Sequence, residues 1–146
     1  MGFEGMMQIS AGGMAAQRYR LNVISSNLAN QNTTRTPEGG PYQRRDVVFQ
    51  TAVPNREDGS PVAANGPLPP PLSVRVVEVI DDPSPPILKY QPEHPDADKN
   101  GYVAYPNVNM FAEMVNMLSA SRSYEANATI MKNAKEMADK TIDLLK

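Results

Sequence analysis

Apolar residues recur every seven positions at both ends of this chain and alternate with polar ones only in its middle. Met7, Met14, Leu21 and Leu28 are spaced by sevens, with Ile24 beside them and Ala11, Ala15 and Ala16 nearby. That spacing lays a narrow apolar stripe along a helix predicted from Met6 to Leu28. Gly12-Gly13 weakens the helix by about 1 kcal/mol per glycine relative to alanine, and in exchange permits close approach of another backbone. After Pro106, alternating steps of four and three from Met110 reach Met114, Met117, Ser121, Tyr124, Ala128, Met131, Lys135, Ala138, Ile142 and Leu145. Of these only Ser121 and Lys135 are neither apolar nor aromatic. The pattern predicts a coiled-coil seam on a helix over 109–145, with Asn107 or Asn109 as its N-cap and a length of about 55 Å at ~1.5 Å per residue.

None of the 14 prolines precedes Pro37 or follows Pro106, so long helices are confined to the two ends. Between them 42–53, 72–80, 87–90 and 101–105 read as strands. Val74 and Val76 alternate with Arg75, whereas Val77 and Val79 take the opposite parity, which predicts a bulge. The connections 55–71 and 81–86 are Pro-rich. Strands this few make a small sheet that is marginal alone. The expected fold class is α+β: long N- and C-terminal helices paired as a coiled coil, with a small loop-rich β module inserted. The expected division is 1–34 with 107–146 as the helical part and 35–106 as the β-rich, Pro-rich middle.

Charge changes this picture. From Met1 to Thr34 only Glu4, Arg18 and Arg20 are charged. The helix would expose Gln17, Asn22, Ser25, Ser26, Asn27 and Asn30, amides and hydroxyls suited to packing against other protein copies, because interface cores are depleted in charge. A net charge of −2 offers no basic field for nucleic acid. No apolar run approaches the ~20 residues of a membrane span, so no membrane insertion is expected. With no cysteine, disulfides and thiolate metal sites are excluded. The opening MGFEGMMQISAGG has no basic region ahead of its apolar residues and Met6 where myristoylation wants Ser or Thr, so neither a Sec signal nor a lipid anchor is expected.

Candidate chemistry is sparse. DADKNG places Asp96, Asp98, Asn100 and Gly101 as in the first half of a calcium loop, but the position of the bidentate Glu holds Asn107 and Pro92 and Pro95 forbid an entering helix. A turn rich in Asp and Asn is the plainer reading; a calcium-binding or adaptor module built on Asp96–Asn100 is the alternative. His94, the only histidine, cannot supply a zinc site alone and is expected to bond backbone. No nucleophile elbow, P-loop or dinucleotide fingerprint appears, so neither enzyme activity nor a cofactor is expected. Arg44 and Arg45 are expected to form an inter-subunit ion pair, and Tyr124 to anchor an interface or pack in the seam.

The segments 14–49 and 106–145 together resemble the flagellar axial proteins, the rod, hook and hook-associated group. The hallmarks are S-N-L-A-N at Ser26–Asn30, followed by Asn/Thr and a Pro-Gly turn, and S-R-x-Y-x-A-N at Ser121, Arg122, Tyr124, Ala126 and Asn127. TRTPEGGPYQRRDVVF and HPDADKNGYVAYPNV, with the short middle, are similar to the proximal-rod members. The resemblance implies a structural subunit of the bacterial rod, in the periplasmic space, that packs into a helical tube transmitting torque from the MS ring towards the distal rod and hook. It implies as partners other copies of the chain, other rod proteins, adaptor proteins on the MS-ring side and the flagellar type III export apparatus. By the same likeness Leu21, Asn27, Leu28, Ala29, Asn30, Met117, Ser121, Arg122, Tyr124, Asn127 and Met131 are expected at subunit contacts. Leu28→Asp is then expected to leave the β module folded and abolish assembly, read as loss of spreading in soft agar; unchanged motility would count against the seam.

Overall fold

The computed structural model describes residues 3–52 and 73–144. In order these form α1 (Phe3–Ala29), β1 (Arg45–Ala52), β2 (Ser73–Asp81), β3 (Ile87–Tyr90), β4 (Tyr102–Tyr105) and α2 (Met110–Leu144). The fold class is α+β, as the periodicities predict: two long helices and two small two-stranded sheets, β1 with β2 and β3 with β4. The Pro-rich connection expected over 55–71 lies outside the described residues. The chain divides into two compact units. One comprises Met1–Tyr19, Phe49–Val77 and Ser121–Lys146, the other Arg20–Val48 and Glu78–Ala120.

In the first unit the glycine pair of α1 serves two neighbours. A Cβ on Gly12 would collide with the Ser73 hydroxyl and lie 3.1 Å from the Val74 carbonyl oxygen at the start of β2. A Cβ on Gly13 would stand 3.0 Å from Nδ2 of Asn127 on α2. The close approach that the glycines predict is therefore real, to a strand on one side and to a helix side chain on the other. Arg75 donates to Gln50 Oε1 at 3.1 Å, tying β2 to β1.

In the second unit β3 pairs antiparallel with β4, Ile87 opposite Tyr105 and Tyr90 opposite Tyr102. Val103 is fully buried beneath this sheet. Asn109 caps α2: its Oδ1 accepts the Ala112 N–H at 3.1 Å and its carbonyl accepts that of Glu113 at 3.0 Å, which settles the choice between two asparagines. α1 ends by the chemistry of its amides. Asn30 Nδ2 donates to the Ser26 carbonyl at 2.9 Å and Thr33 Oγ1 donates to Asn30 Oδ1 at 3.2 Å. The Ser26 carbonyl, which also accepts the Asn30 backbone N–H at 3.1 Å, thus takes a second, uncharged donor.

The seam of α2 is half as predicted. Met117, Tyr124, Met131 and Ala138 recur as expected, Tyr124 at the edge of exposure. Of the alternate positions, Glu113, Ala120 and Ala134 are more buried than the expected Met114, Ser121 and Lys135, while Asn127 and Ala128 are both half-buried. Met110 and Ile142 are exposed, and Leu145 lies outside the described residues. Ala120 and Ala134 are buried, while Met114 is 54% exposed. Counting hydrophobicity favoured methionine for the inside, but two of the three buried positions of α2 are alanines and the third is the paired Glu113. On α1, Met7, Met14, Leu21 and Leu28 are half-buried, and the most enclosed positions are Ser10, Ala16, Ile24 and Asn27. In β2 the alternation of Val74 and Val76 breaks at Val77 and Glu78, both exposed, and resumes at Val79.

Gly12→Ala should lower stability by about 1–3 kcal/mol, because overpacking against β2 outweighs the gain of about 1 kcal/mol in helix propensity. Gly13→Ala should cost less than Gly12→Ala, because its Cβ meets only the Asn127 side chain, although that side chain is held by its 2.9 Å bond to the Ser123 carbonyl. Thermal melts followed by circular dichroism distinguish the two.

Candidate functional site

The second unit is organised around Asn27, the first asparagine of the S-N-L-A-N run, whose side chain is 0% exposed. Its amide nitrogen donates to the Arg45 carbonyl at 2.8 Å and to Glu113 Oε2 at 3.3 Å. Its oxygen accepts from the Arg45 N–H at 3.0 Å and from the Tyr42 hydroxyl at 2.9 Å. Both donors and both acceptor positions of the amide are thus used. Because Tyr42 donates to Asn27, the 3.4 Å contact between Tyr42 and Ser26 hydroxyls has Ser26 as donor.

Glu113, in the first turn of α2, is 1% exposed. A carboxylate there requires a counter-charge, and Arg44 supplies it: Arg44 Nε donates to Glu113 Oε1 at 2.8 Å. Arg44 also lies 3.3 Å from Asp46 and 3.6 Å from Asp82. Burial alone would lower the Arg44 guanidinium, but its bond and charge pairing with Glu113, aided by Asp46, outweigh that and hold it above the ordinary arginine value. The Ser84 hydroxyl and backbone N–H, with a smaller contribution from Arg44, hold the Asp82 carboxyl below the usual range. A depressed carboxylate stabilises the fold fully above the unfolded value of about 3.9, and that stabilisation is lost as pH falls through the folded value.

The loop that delivers these groups is shaped by Gly39 and Gly40, at φ of 94° and 77°, a region closed to most side chains. Thr36 N–H bonds the Gly40 carbonyl at 2.8 Å and Tyr42 N–H bonds Thr33 at 3.0 Å, turning the chain back into β1. Beside the turn lies a groove of about 790 Å³ lined by Arg35, Arg44, Arg45, Asp81 and Asp82 among others. Each of its arginines already faces a carboxylate of the same chain: Arg35 at 3.9 Å from Asp96, Arg44 as above, and Arg45 at 3.3 Å from Asp81.

Two expectations are corrected by these contacts. Arg44 and Arg45 are paired within the chain, where the returning loop brings them to Glu113 and the end of β2. Asn27 does not face outward, because its position on α1 points into the loop and α2. Of the other residues expected at subunit contacts, Leu21, Leu28, Asn30 and Met117 in this unit are half-buried and Ala29 is exposed. In the first unit Ser121, Asn127 and Met131 are half-buried, and Arg122 and Tyr124 exposed. Tyr42, Arg45 and Glu113 were not singled out as partners of Asn27, nor Arg44 as that of Glu113, since no helical or strand spacing joins these positions.

The Asp96–Gly101 loop uses its carboxylates internally. Asp98 Oδ1 accepts the N–H groups of Asn100 and Tyr102, both at 2.8 Å, and Asp96 Oδ2 accepts the Thr34 hydroxyl at 2.7 Å. His94 Nδ1 accepts the Asp96 N–H at 3.1 Å, the backbone bond expected of it. Among the described residues no cluster of three or more His, Asp or Glu is placed to hold a metal, and no helix is long and apolar enough to cross a membrane.

Comparison with known proteins places two family models on the chain: "Flagella basal body rod protein" over residues 7–35 and "Flagellar basal body rod FlgEFG protein C-terminal" over 99–144. The chain is 43% identical to flagellar basal-body rod protein FlgC of Borreliella burgdorferi, with 99% of both chains covered. It is 42% identical to FlgC of Salmonella typhimurium over 99% of this chain and 98% of that one. To FlgC of Bacillus subtilis it is 39% identical over 94% and 95%.

Glu113→Ala deprives Arg44 and Asn27 of their common partner. It should cost about 2–4 kcal/mol, towards the lower end because Arg44 keeps its aspartates. Asn27→Ala should cost about 1–3 kcal/mol. In a double-mutant cycle by chemical denaturation the two losses should fall short of additivity by at least about 0.5 kcal/mol; strict additivity would show that the junction is not one network.

Proposed function

Because the chain belongs to the FlgC family of flagellar basal-body rod proteins, we propose that its two long helices pair lengthwise as a coiled coil and pack with neighbouring subunits into a helical tube. It is a structural subunit of the basal-body rod. The observation that carries this reading is the end-to-end match to FlgC chains, with family models falling on both helical ends. In the proposed mechanism the rod transmits torque by packing, without chemistry. Each subunit passes force from the MS ring towards the distal rod and hook through its contacts.

The helix pairing is supported in the first unit by the seating of Asn127 against Gly13, and in the second by the bond between Asn27 and Glu113. The division into terminal helices, 1–34 with 107–146, and an inserted β-rich middle, 35–106, belongs to this proposal. So do the partners: further copies of the chain, other rod proteins, adaptors on the MS-ring side and the type III export apparatus.

Leu21, Leu28, Ala29, Asn30, Met117, Ser121, Arg122, Tyr124, Asn127 and Met131 are proposed to meet neighbouring subunits. Asn27 serves them indirectly by fixing the end of α1. The calcium alternative has no support, since the carboxylates of its loop are spent on turn and tie contacts.

Arg122→Glu changes an exposed side chain and should shift stability by no more than about 0.5 kcal/mol. Tyr124→Ala truncates a residue that is 37% exposed and should cost about 1–2 kcal/mol. Both are expected to reduce swimming and the yield of intact rods in purified basal bodies. Wild-type rod yield and motility in both variants would remove these two residues from the proposed contact.

A further inference from the structure

The DADKNG segment ends on an Asn-Gly pair, and the fold demands the glycine. Gly101 stands at φ 83°, where a side chain is disfavoured. A Cβ there would also lie 2.8 Å from Tyr90 Cε2 and 3.2 Å from Pro92 Cβ. The Gly101 carbonyl accepts the Gln91 N–H at 2.8 Å, continuing the β3–β4 pairing just beyond Tyr90 and Tyr102. Asn100, ahead of it, is exposed. Asparagine is chemically labile, most of all before glycine, where no side chain hinders the following nitrogen. That nitrogen, once it has lost its proton, attacks the side-chain carbonyl carbon of the asparagine. A C–N bond forms to close a five-membered imide, the bond to the side-chain nitrogen breaks, and ammonia leaves. Water then opens the imide at one carbonyl or the other, giving aspartate or isoaspartate. In isoaspartate the main chain runs through the former side chain and is longer by a carbon.

We propose that Asn100 is a deamidation site held shut by the turn it belongs to. The attacking atom is engaged, since the Gly101 N–H donates to the Asp98 carbonyl at 3.0 Å. The Asp98 carboxylate grips the backbone on both sides of it, Oδ1 accepting the N–H groups of Asn100 and Tyr102 at 2.8 Å each. Ring closure requires the Gly101 nitrogen to leave the Asp98 carbonyl and swing over the Asn100 side chain. That movement would pull Gly101 away from Tyr90 and Pro92 and break its bond to Gln91. The reaction is therefore confined to chains whose turn has opened, and its rate follows the open population. It is also one-way. Isoaspartate at position 100 lengthens the backbone beside the residue whose carbonyl meets Gln91, so a chain modified while open does not regain the Tyr90–Tyr102 register. The carboxylate that a calcium loop would spend on a cation here guards a labile peptide.

The test is made on the full-length chain in mildly alkaline buffer, folded and in guanidinium chloride, followed by cleavage after glutamate. The fragment 94–113 holds Asn100 and excludes the chain's other Asn-Gly pair, Asn65-Gly66. Mass spectrometry with fragmentation follows conversion at position 100. Conversion is expected to be at least about tenfold slower in the folded chain than in the unfolded one. Asp98→Ala should speed it in the folded chain by about fivefold or more, whereas Asp98→Asn, which keeps an acceptor oxygen, should stay within about twofold of wild type. Circular dichroism establishes that each variant is folded, and the wild-type comparison stands without them. Equal rates in folded and unfolded chains, or an Asn100 that is inert even when unfolded, would overturn the proposal. A folded Asp98→Ala chain converting at the wild-type rate would overturn the part assigned to the turn.

Discussion

Asn27 and Glu113 stand 86 positions apart in the chain, and a 3.3 Å hydrogen bond joins them out of reach of water. Neither group could be buried alone. A carboxylate without a cation, or an amide without partners, costs several kcal/mol in a dry site. Burial becomes tolerable only when the end of α1, the entry to β1 and the first turn of α2 arrive together in one register. The position of Glu113 near the N-terminus of α2 adds a favourable interaction with the helix dipole. An apolar trio of the same volume can hold elements together as firmly, but only groups with directional bonds require one set of partners. The polar junction therefore confers alignment more than adhesion, which suits a subunit whose outer surfaces must meet neighbours at fixed places.

The apolar interior is small by comparison. The fully enclosed apolar side chains among the described residues are Ala16, Ile24, Tyr42, Val103, Ala120 and Ala134, half of them alanines. Alanine and glycine allow close approach but bury little surface, at about 25 cal/mol per Å². Much of the larger apolar material, including Phe111, Val115, Leu118 and Tyr90, lies outside. A chain arranged this way buries little apolar surface of its own, and any partner that binds the folded form would add stability by mass action. The carboxylates tell the same story from the polar side. Asp81, Asp82, Asp96 and Asp98 are occupied with arginines, hydroxyls and backbone N–H groups, and so lock loops rather than serve a ligand.

Local pattern alone was enough for the elements. Proline placement and seven-residue spacing located both helices to within a few residues, because a ring without an N–H excludes helix and a periodic stripe demands it. The four strands, the turn at Asp98 and the backbone-bonded His94 were legible for the same reason: each depends on residues close in sequence. Asn27 was legible as special but not for its role. An amide in a charge-free helix suits a subunit contact and an internal junction equally, and only its partners separate the two.

What the tertiary structure decided was which side of each helix is inside and which charges meet. Met114 looked more hydrophobic than Glu113, yet Glu113, reached by Arg44 and Asn27, is buried and Met114 is 54% exposed. The sequence by itself determined the elements, the charge-free stretches and, through its likeness to rod proteins, the kind of molecule this is. Pairing across long separations depends on where loops return, and a side chain's burial depends on its partners as much as on its own polarity. Neither property is carried by any short stretch of residues.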